Sequence, residues 1–193
     1  MQKNKLLLLL TVFTILTALS ISISAQITPD KIDLKNYDVT IRIIFGSNTA
    51  DKNSALPKEL SPAVEQIKKT FDYSSFNLKG TYKVRLASGG GADYKNIGEI
   101  FPGNDENPSL PDFLEWSISG LNDRAGDSIY FQRFHFGARI PLKTGTAGSY
   151  QYESVGLDLN KFGIEPNQWV QIGTITSPNA DGTAFVMLFI KPI

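Results

Sequence analysis

The stretch Tyr37-Asp38-Val39-Thr40-Ile41-Arg42-Ile43-Ile44-Phe45 places Tyr37, Val39, Ile41, Ile43 and Phe45 at alternate positions. Period-two alternation rich in β-branched and aromatic residues predicts a strand with one face in a core. A second run behaves in the same way. Phe76, Leu78, Tyr82, Val84 and Leu86 share one parity, against Asn77, Lys79, Thr81, Lys83 and Arg85 on the other. Gly80 interrupts the apolar series and marks a bulge or a close crossing. Between the two runs, residues 46–57 form a polar connection. Ser61-Pro62 then reads as a helix N-cap with proline at the first helical position, where its missing N–H costs nothing. Val64, Ile67 and Phe71 follow at helical spacing, with Glu65, Lys68 and Lys69 turned outward. Strand, helix and strand across residues 37–86 thus give a βαβ-type unit, whose two strands are either neighbours or separated by a third.

Downstream the pattern turns to strands. Ser88-Gly89-Gly90-Gly91-Ala92 is a flexible break and residues 102–111 are a second, acidic and proline-bounded one, so 88–112 reads as a flexible loop region. Leu114, Trp116 and Ile118 alternate. Ile129 and Phe131 hold one parity, whereas Phe134, Phe136, Ala138 and Ile140 hold the other, and a switch at Gln132-Arg133 predicts a β-bulge. Further strand segments cover 150–159 and 169–175. The last, Ala184-Phe185-Val186-Met187-Leu188-Phe189-Ile190, is apolar on both parities and belongs in the middle of a covered sheet. The expected fold class is α+β, mainly β. A βαβ-type N-terminal portion (26–87) with one short helix precedes an antiparallel β-sandwich or barrel-like portion (113–193); a single continuous domain over 26–193 is the alternative.

Residues 1–25 stand apart. Lys3 and Lys5 precede an uncharged apolar run over 6–19, and Ser20-Ile21-Ser22-Ile23-Ser24-Ala25 closes it with small residues. That is the pattern of a secretory signal peptide cleaved near Ala25, preferred over a retained anchor because no Lys/Arg cluster follows the run. The processed chain has 168 residues and a net charge of −2, since Lys3 and Lys5 leave with the leader. It is expected in the bacterial periplasm or secreted, touching membrane only through the export signal.

Composition narrows the chemistry. The chain holds no cysteine and one histidine, which removes disulfides, thiolate zinc, cysteine nucleophiles and histidine-cluster metals. A near-neutral charge offers no footprint for nucleic acid. A hydrolytic triad has only His135 as its base, in the same strand phase as Arg133 and Arg139, and neither a Gly-x-Ser-x-Gly elbow nor a Ser-x-x-Lys motif is present. Arg133, His135 and Arg139 read first as an exposed polar stripe, and more sharply as a small patch for an anion or a partner, the arginines supplying forked donors. Ser88-Gly89-Gly90-Gly91 lacks the Lys-Ser/Thr of a phosphate loop. Asn104-Asp105-Glu106-Asn107, and Asn122-Asp123 with Asp127, match no calcium loop and read as turn formers. No cofactor, metal or catalytic residue is assigned. Trp116, Trp169, Tyr82, Tyr130, Tyr150 and Tyr152 form either a sugar-binding face or core and interface.

Two segments resemble a known family. Asn167-Gln168-Trp169-Val170-Gln171-Ile172-Gly173-Thr174, with Phe185 onward to Pro192 and Ile193, resembles the closing β-segments of secretins, outer-membrane channels of secretion systems and type IV pili. The Val-Pro-x-Leu-Gly-x-Ile-Pro signature of the channel is missing, so the resemblance implies a secretin-related assembly component without a pore. Leu56-Pro57-Lys58-Glu59-Leu60 is also similar to a linker in small exported bacterial proteins of unknown function. The residues themselves point to a non-enzymatic envelope protein that meets an envelope partner, or itself, through a β-rich surface. A carbohydrate-binding or carbohydrate-active protein is the third reading.

Overall fold

A computed structural model describes residues 35–49, 56–101, 110–123, 128–144, 149–176 and 181–193. The expected leader and the 104–107 acidic cluster lie outside the described residues. Four strands make sheet A, in the order β2 (Ser75–Ala87), β1 (Asn36–Ser47), β9 (Gly182–Pro192) and β8 (Val170–Thr176). Sheet B runs β3 (Ala92–Gly98), β4 (Asp112–Ser119), β6 (Ile129–Thr144) and β7 (Ser149–Ile164), and the two-residue β5 (Asn122–Asp123) continues the line of β4 along β6. Every pairing is antiparallel. The two sheets form a sandwich, and no closed barrel is made.

The strand parities explain the layering. Tyr37, Val39, Ile41, Ile43 and Phe45 of β1 and Ala184, Val186, Leu188 and Ile190 of β9 point between the sheets, against Leu114, Trp116, Ile118, Phe134 and Phe136. The other parity of the same two strands, Ile44, Phe185 and Met187, packs outward under helix α1 (Ser61–Lys68) through Ala63, Val64 and Ile67. β9, apolar on both faces, therefore sits between β1 and β8 with cover on both sides, as its sequence requires. Each fully buried large side chain here contributes about 1.5–3 kcal/mol relative to exposure.

Several expectations need correction. β1 and β2 are direct antiparallel neighbours, so the helix decorates a long hairpin connection and no parallel crossover exists. The bulge flagged by Gly80 is real. Ile43 pairs with Gly80 but Ile44 with Leu78, leaving Lys79 as the extra residue. Phe76 and Leu78 consequently pack under α1, while Tyr82, Val84 and Leu86 face the sandwich core, so residues of one parity serve two opposite faces. Ser61 has helical dihedrals (φ −53°, ψ −44°) and makes no cap bond; a 3₁₀ turn, Lys58–Leu60, leads into α1 instead.

The flexible reading does not hold over 88–101, the described part of the first break; residues 102–109 lie outside the described residues. Ser88 N–H donates to the Lys35 carbonyl at 2.8 Å, Gly89 N–H to Leu121 at 2.6 Å and Gly90 N–H to Ala87 at 2.9 Å. These glycines permit close approach: a β-carbon on Gly91 would lie 2.6 Å from the Ile118 carbonyl oxygen. Residues 92–98 are strand β3, and Ile100 and Phe101 are buried, held by the buried Asp112 carboxylate. The supposed break at 88–112 does not divide the sheets by chain order either. Sheet A takes β1 and β2 from before it and β8 and β9 from after it, and Leu34–Ile193 is one compact unit.

The predicted phase switch at Gln132-Arg133 is present as two consecutive exposed residues in β6. It is shared across the sheet. Lys161 opposite it in β7 has φ 54°, and Gly120 on the other side has φ 62°. The irregular residues stand opposite one another, so the register of β6 with β7 is the same on both sides of the kink and the switch is a shared bend, not the predicted β-bulge with its extra residue. Phe162 stacks on Phe131 (centroids 5.0 Å apart) and meets Phe134 edge-on, filling the bend.

Candidate functional site

With Leu114, Trp116, Phe136 and Ala138 turned inward, the intervening residues of sheet B form its outer face. The register sets them in rows across the strands. Ile97, Phe113, Arg139 and Ser154 make one row; Lys95, Glu115, Gly137 and Gly156 the next; Asp93, Ser117, His135 and Asp158 a third. All three residues of the predicted stripe lie on this face. A trough of about 890 Å³ runs along it, lined among others by Lys95, Phe113, Glu115, His135, Arg139 and Asp158.

The floor of the trough is two adjacent glycines. A β-carbon on Gly156 would lie 2.4 Å from the Phe136 carbonyl oxygen, so no other residue fits without moving the β6 backbone. Gly137 has the His135 imidazole leaning over it, with Nε2 3.1 Å from where its β-carbon would be.

Charge on this face is organised as a chain of ion pairs. Lys95 Nζ stands 3.3 Å from Glu115, His135 Nε2 3.6 Å from Glu115, His135 Nδ1 3.1 Å from Asp158, and Arg133 Nη2 2.9 Å from Asp158. The bond from Lys95 holds the Glu115 carboxyl below its ordinary range, with His135 adding to it. The Arg133 bond does the same for Asp158. Arg133 and His135 are thus engaged by carboxylates, and the face is not the basic patch that the stripe suggested. Arg139 differs. Its guanidinium lies 4.9 Å over the Phe113 ring, and it makes no ion pair or side-chain hydrogen bond with any described residue.

Ser117, His135 and Asp158 share one row, the residue types of a hydrolytic triad. The required contact is missing. His135 Nε2, which would take the serine proton, faces the Glu115 carboxylate. The imidazole therefore lies between the Glu115 and Asp158 carboxylates and not against Ser117. Among the described residues no group of three or more His, Asp or Glu side chains could hold a metal ion. Of the second calcium cluster, Asp123 pairs with Lys35 and Asn122 donates to the Gly120 carbonyl.

The aromatic residues divide differently from the sugar-face expectation. Trp116 is buried, stacked on Tyr94 (5.4 Å) and flanked by Tyr82. Trp169 lies on sheet A against Phe189 and the Arg42 guanidinium. Tyr152 reaches the outer face of sheet B beside the trough, packing on Phe113 (5.2 Å) and donating to the Pro111 carbonyl at 3.3 Å, while Tyr130 and Tyr150 take outer-face positions of β6 and β7 farther along. Sequence reasoning missed Glu115, Asp158, Phe113 and the glycine floor. The parity of Phe113 and Glu115 against Leu114 was a usable signal for β4; the register joining them to β6 was not.

No family model and no curated protein matches the chain. Solved structures similar to the chain include two secretins. The secretin-domain β-barrel of InvG from the Salmonella SPI-1 injectisome shares 8% identity at a TM-score of 0.41, over 83% of this chain and 63% of that one. The V. cholerae type IV competence pilus secretin PilQ shares 10% identity at a TM-score of 0.37, over 83% and 61%. The chain therefore spans less than two thirds of either neighbour. No helix among the described residues is long and apolar enough to cross a membrane.

Proposed function

We propose that this is an exported cell-envelope protein, without enzymatic activity of its own, that binds a protein partner through the outer face of sheet B. One observation carries the reading. The outer face of sheet A is partly covered by α1, whereas that of sheet B presents an open trough rimmed by charged pairs, with exposed aromatic and aliphatic side chains at one end. An exposed apolar patch rimmed by polar groups is the usual mark of an interaction surface. The leader pattern supports export. The position of His135 away from Ser117 supports a binding role over hydrolysis, and the inward turn of Trp116 and Tyr82, two of the six aromatics, weighs against a sugar platform built from all of them.

The test is site-specific photo-crosslinking in the native envelope. A photoreactive residue at Ser117, on this face, is expected to yield a discrete adduct, and one at Glu65 on α1 is not. Equal labelling from both positions, or none from Ser117, refutes the reading.

A further inference from the structure

Arg139 is out of balance with its surroundings. Each other basic side chain in the three rows has a carboxylate beside it: Lys95 has Glu115, and His135 has both Glu115 and Asp158. Arg133, one step beyond, has Asp158. Arg139 is exposed, rests on the face of Phe113, and leaves all five N–H donors unused by described residues. An arginine stacked on a ring is held in place at small entropic cost while its forked edge stays open for a planar acceptor. A carboxylate is the group that this fork matches with two parallel bonds.

The neighbours say what accompanies the carboxylate. Ile97, cross-strand from Phe113, is 58% exposed, Leu110 40% and Tyr152 37%. Two of these exposed hydrophobics, Ile97 and Tyr152, flank Phe113 at Arg139's end of the trough, and Leu110 stands two residues before β4 begins there. Arg and Tyr set among apolar side chains is the composition of an interface hot spot.

We propose that Arg139 is the anchor of this surface. It takes an Asp or Glu side chain of a protein segment whose adjacent apolar residue seats on Ile97, Leu110 and Tyr152. This inference rests on the binding face proposed above and adds the chemistry of what binds. The Lys95–Glu115 and Arg133–Asp158 pairs, already neutralised, frame the site without attracting a second anion.

The probe is a phage-displayed random heptapeptide library selected on the wild-type protein, followed by fluorescence titration of synthetic winners and their Glu→Gln or Asp→Asn forms. Winners are expected to carry an acid beside Phe, Leu or Trp. Arg139→Gln should weaken them tenfold or more, Arg139→Lys less, because an ammonium offers no fork, and Ile97→Ser severalfold. Circular dichroism melts check that these exposed substitutions leave the fold intact. The inference is overturned by winners lacking an acid, by equal affinity for Arg139→Gln, by no winners at all, or by uronate-oligosaccharide binding without peptide binding. If the Ser117 adduct persists unchanged in Arg139→Gln, Arg139 is not the anchor and the binding face stands. If that adduct never forms in the wild type, the face itself is wrong.

Discussion

Asp112 offers the sharpest test of how Ile100 and Phe101 are held against the start of β4. It is 6% exposed, and its Oδ2 accepts from the Ile100 N–H at 3.0 Å and, at the limit of a bond, from Phe101 at 3.5 Å. Burial pushes its carboxyl above the ordinary range, against the pull of those two bonds, and nearby Glu99 adds to the rise. Two substitutions separate the contributions. Asp112→Ala leaves the Ile100 N–H buried without an acceptor, at about 1–3 kcal/mol. A domain of this size loses about 2–4 °C of Tm per kcal/mol, so the expected drop is about 2–12 °C. Asp112→Asn keeps an acceptor and removes the charge, so at pH 7 it is expected within about 1 kcal/mol of wild type, on the stable side. The pH dependence has a definite sign. An acid whose folded pKa is raised binds more protons folded than unfolded, so wild-type stability falls as pH rises from the ordinary carboxylate range through the raised pKa. The advantage of Asp112→Asn over wild type should therefore grow between pH 4 and pH 7 in urea melts. An Asn variant as unstable as the Ala variant, or an Ala variant as stable as wild type, would refute the assignment.

Two further outcomes follow from the packing. Gly156→Ala drives a β-carbon to 2.4 Å from the Phe136 carbonyl oxygen and is expected to cost about 1–3 kcal/mol with faster hydrogen exchange along β6 and β7; exchange unchanged from wild type counts against the close approach. Arg42 is 8% exposed, stacked 4.7 Å from Trp169 and bonded to Glu59 at 2.6 Å, with its Nε and Nη1 unpartnered among the described residues. Glu59→Gln should destabilise by about 1–2 kcal/mol, discounted because Glu59 is exposed, whereas Arg42→Met should be neutral or stabilising beside Trp169 and Phe189. Denaturation midpoints in the opposite order would show that the pair is worth more than its desolvation.

Much of the fold was legible because burial leaves its mark on parity. The double-sided apolarity of residues 184–190 demanded a central strand, and β9 is one. The Gln132-Arg133 phase switch and the Gly80 interruption both marked real irregularities. What parity could not reveal was partnership. Nothing local distinguishes a parallel crossover from a hairpin carrying a helix, so the adjacency of β1 and β2 was open until the register was known. The glycine run at 89–91 misled for a physical reason. Glycine serves both flexibility and close backbone approach, and here Gly91 is required by the Ile118 carbonyl oxygen.

The site was less legible for the same reason, at finer grain. A half-wet strand shows which residues face water, and Arg133, His135 and Arg139 were correctly grouped on one face of β6. Their chemistry is set by residues from other strands: Asp158, separated by 25 residues from Arg133, and Glu115, on the opposite neighbour. Three similar cationic positions thereby acquire three different fates. Arg133 is paired and His135 is bridged between two carboxylates. Arg139 is offset by one row, opposite Phe113 and Ser154 where no acid stands. A slip of two residues in the β6–β7 register would preserve the inward-facing parity beyond the kink yet set Arg139 opposite Tyr152 or Gly156 and part Asp158 from His135. That Arg139 has no acid among the described residues is therefore a consequence of pairing register, and Gly156→Ala, whose β-carbon presses the β6 backbone away from β7, should disturb the peptide site even though it leaves Arg139 itself unchanged.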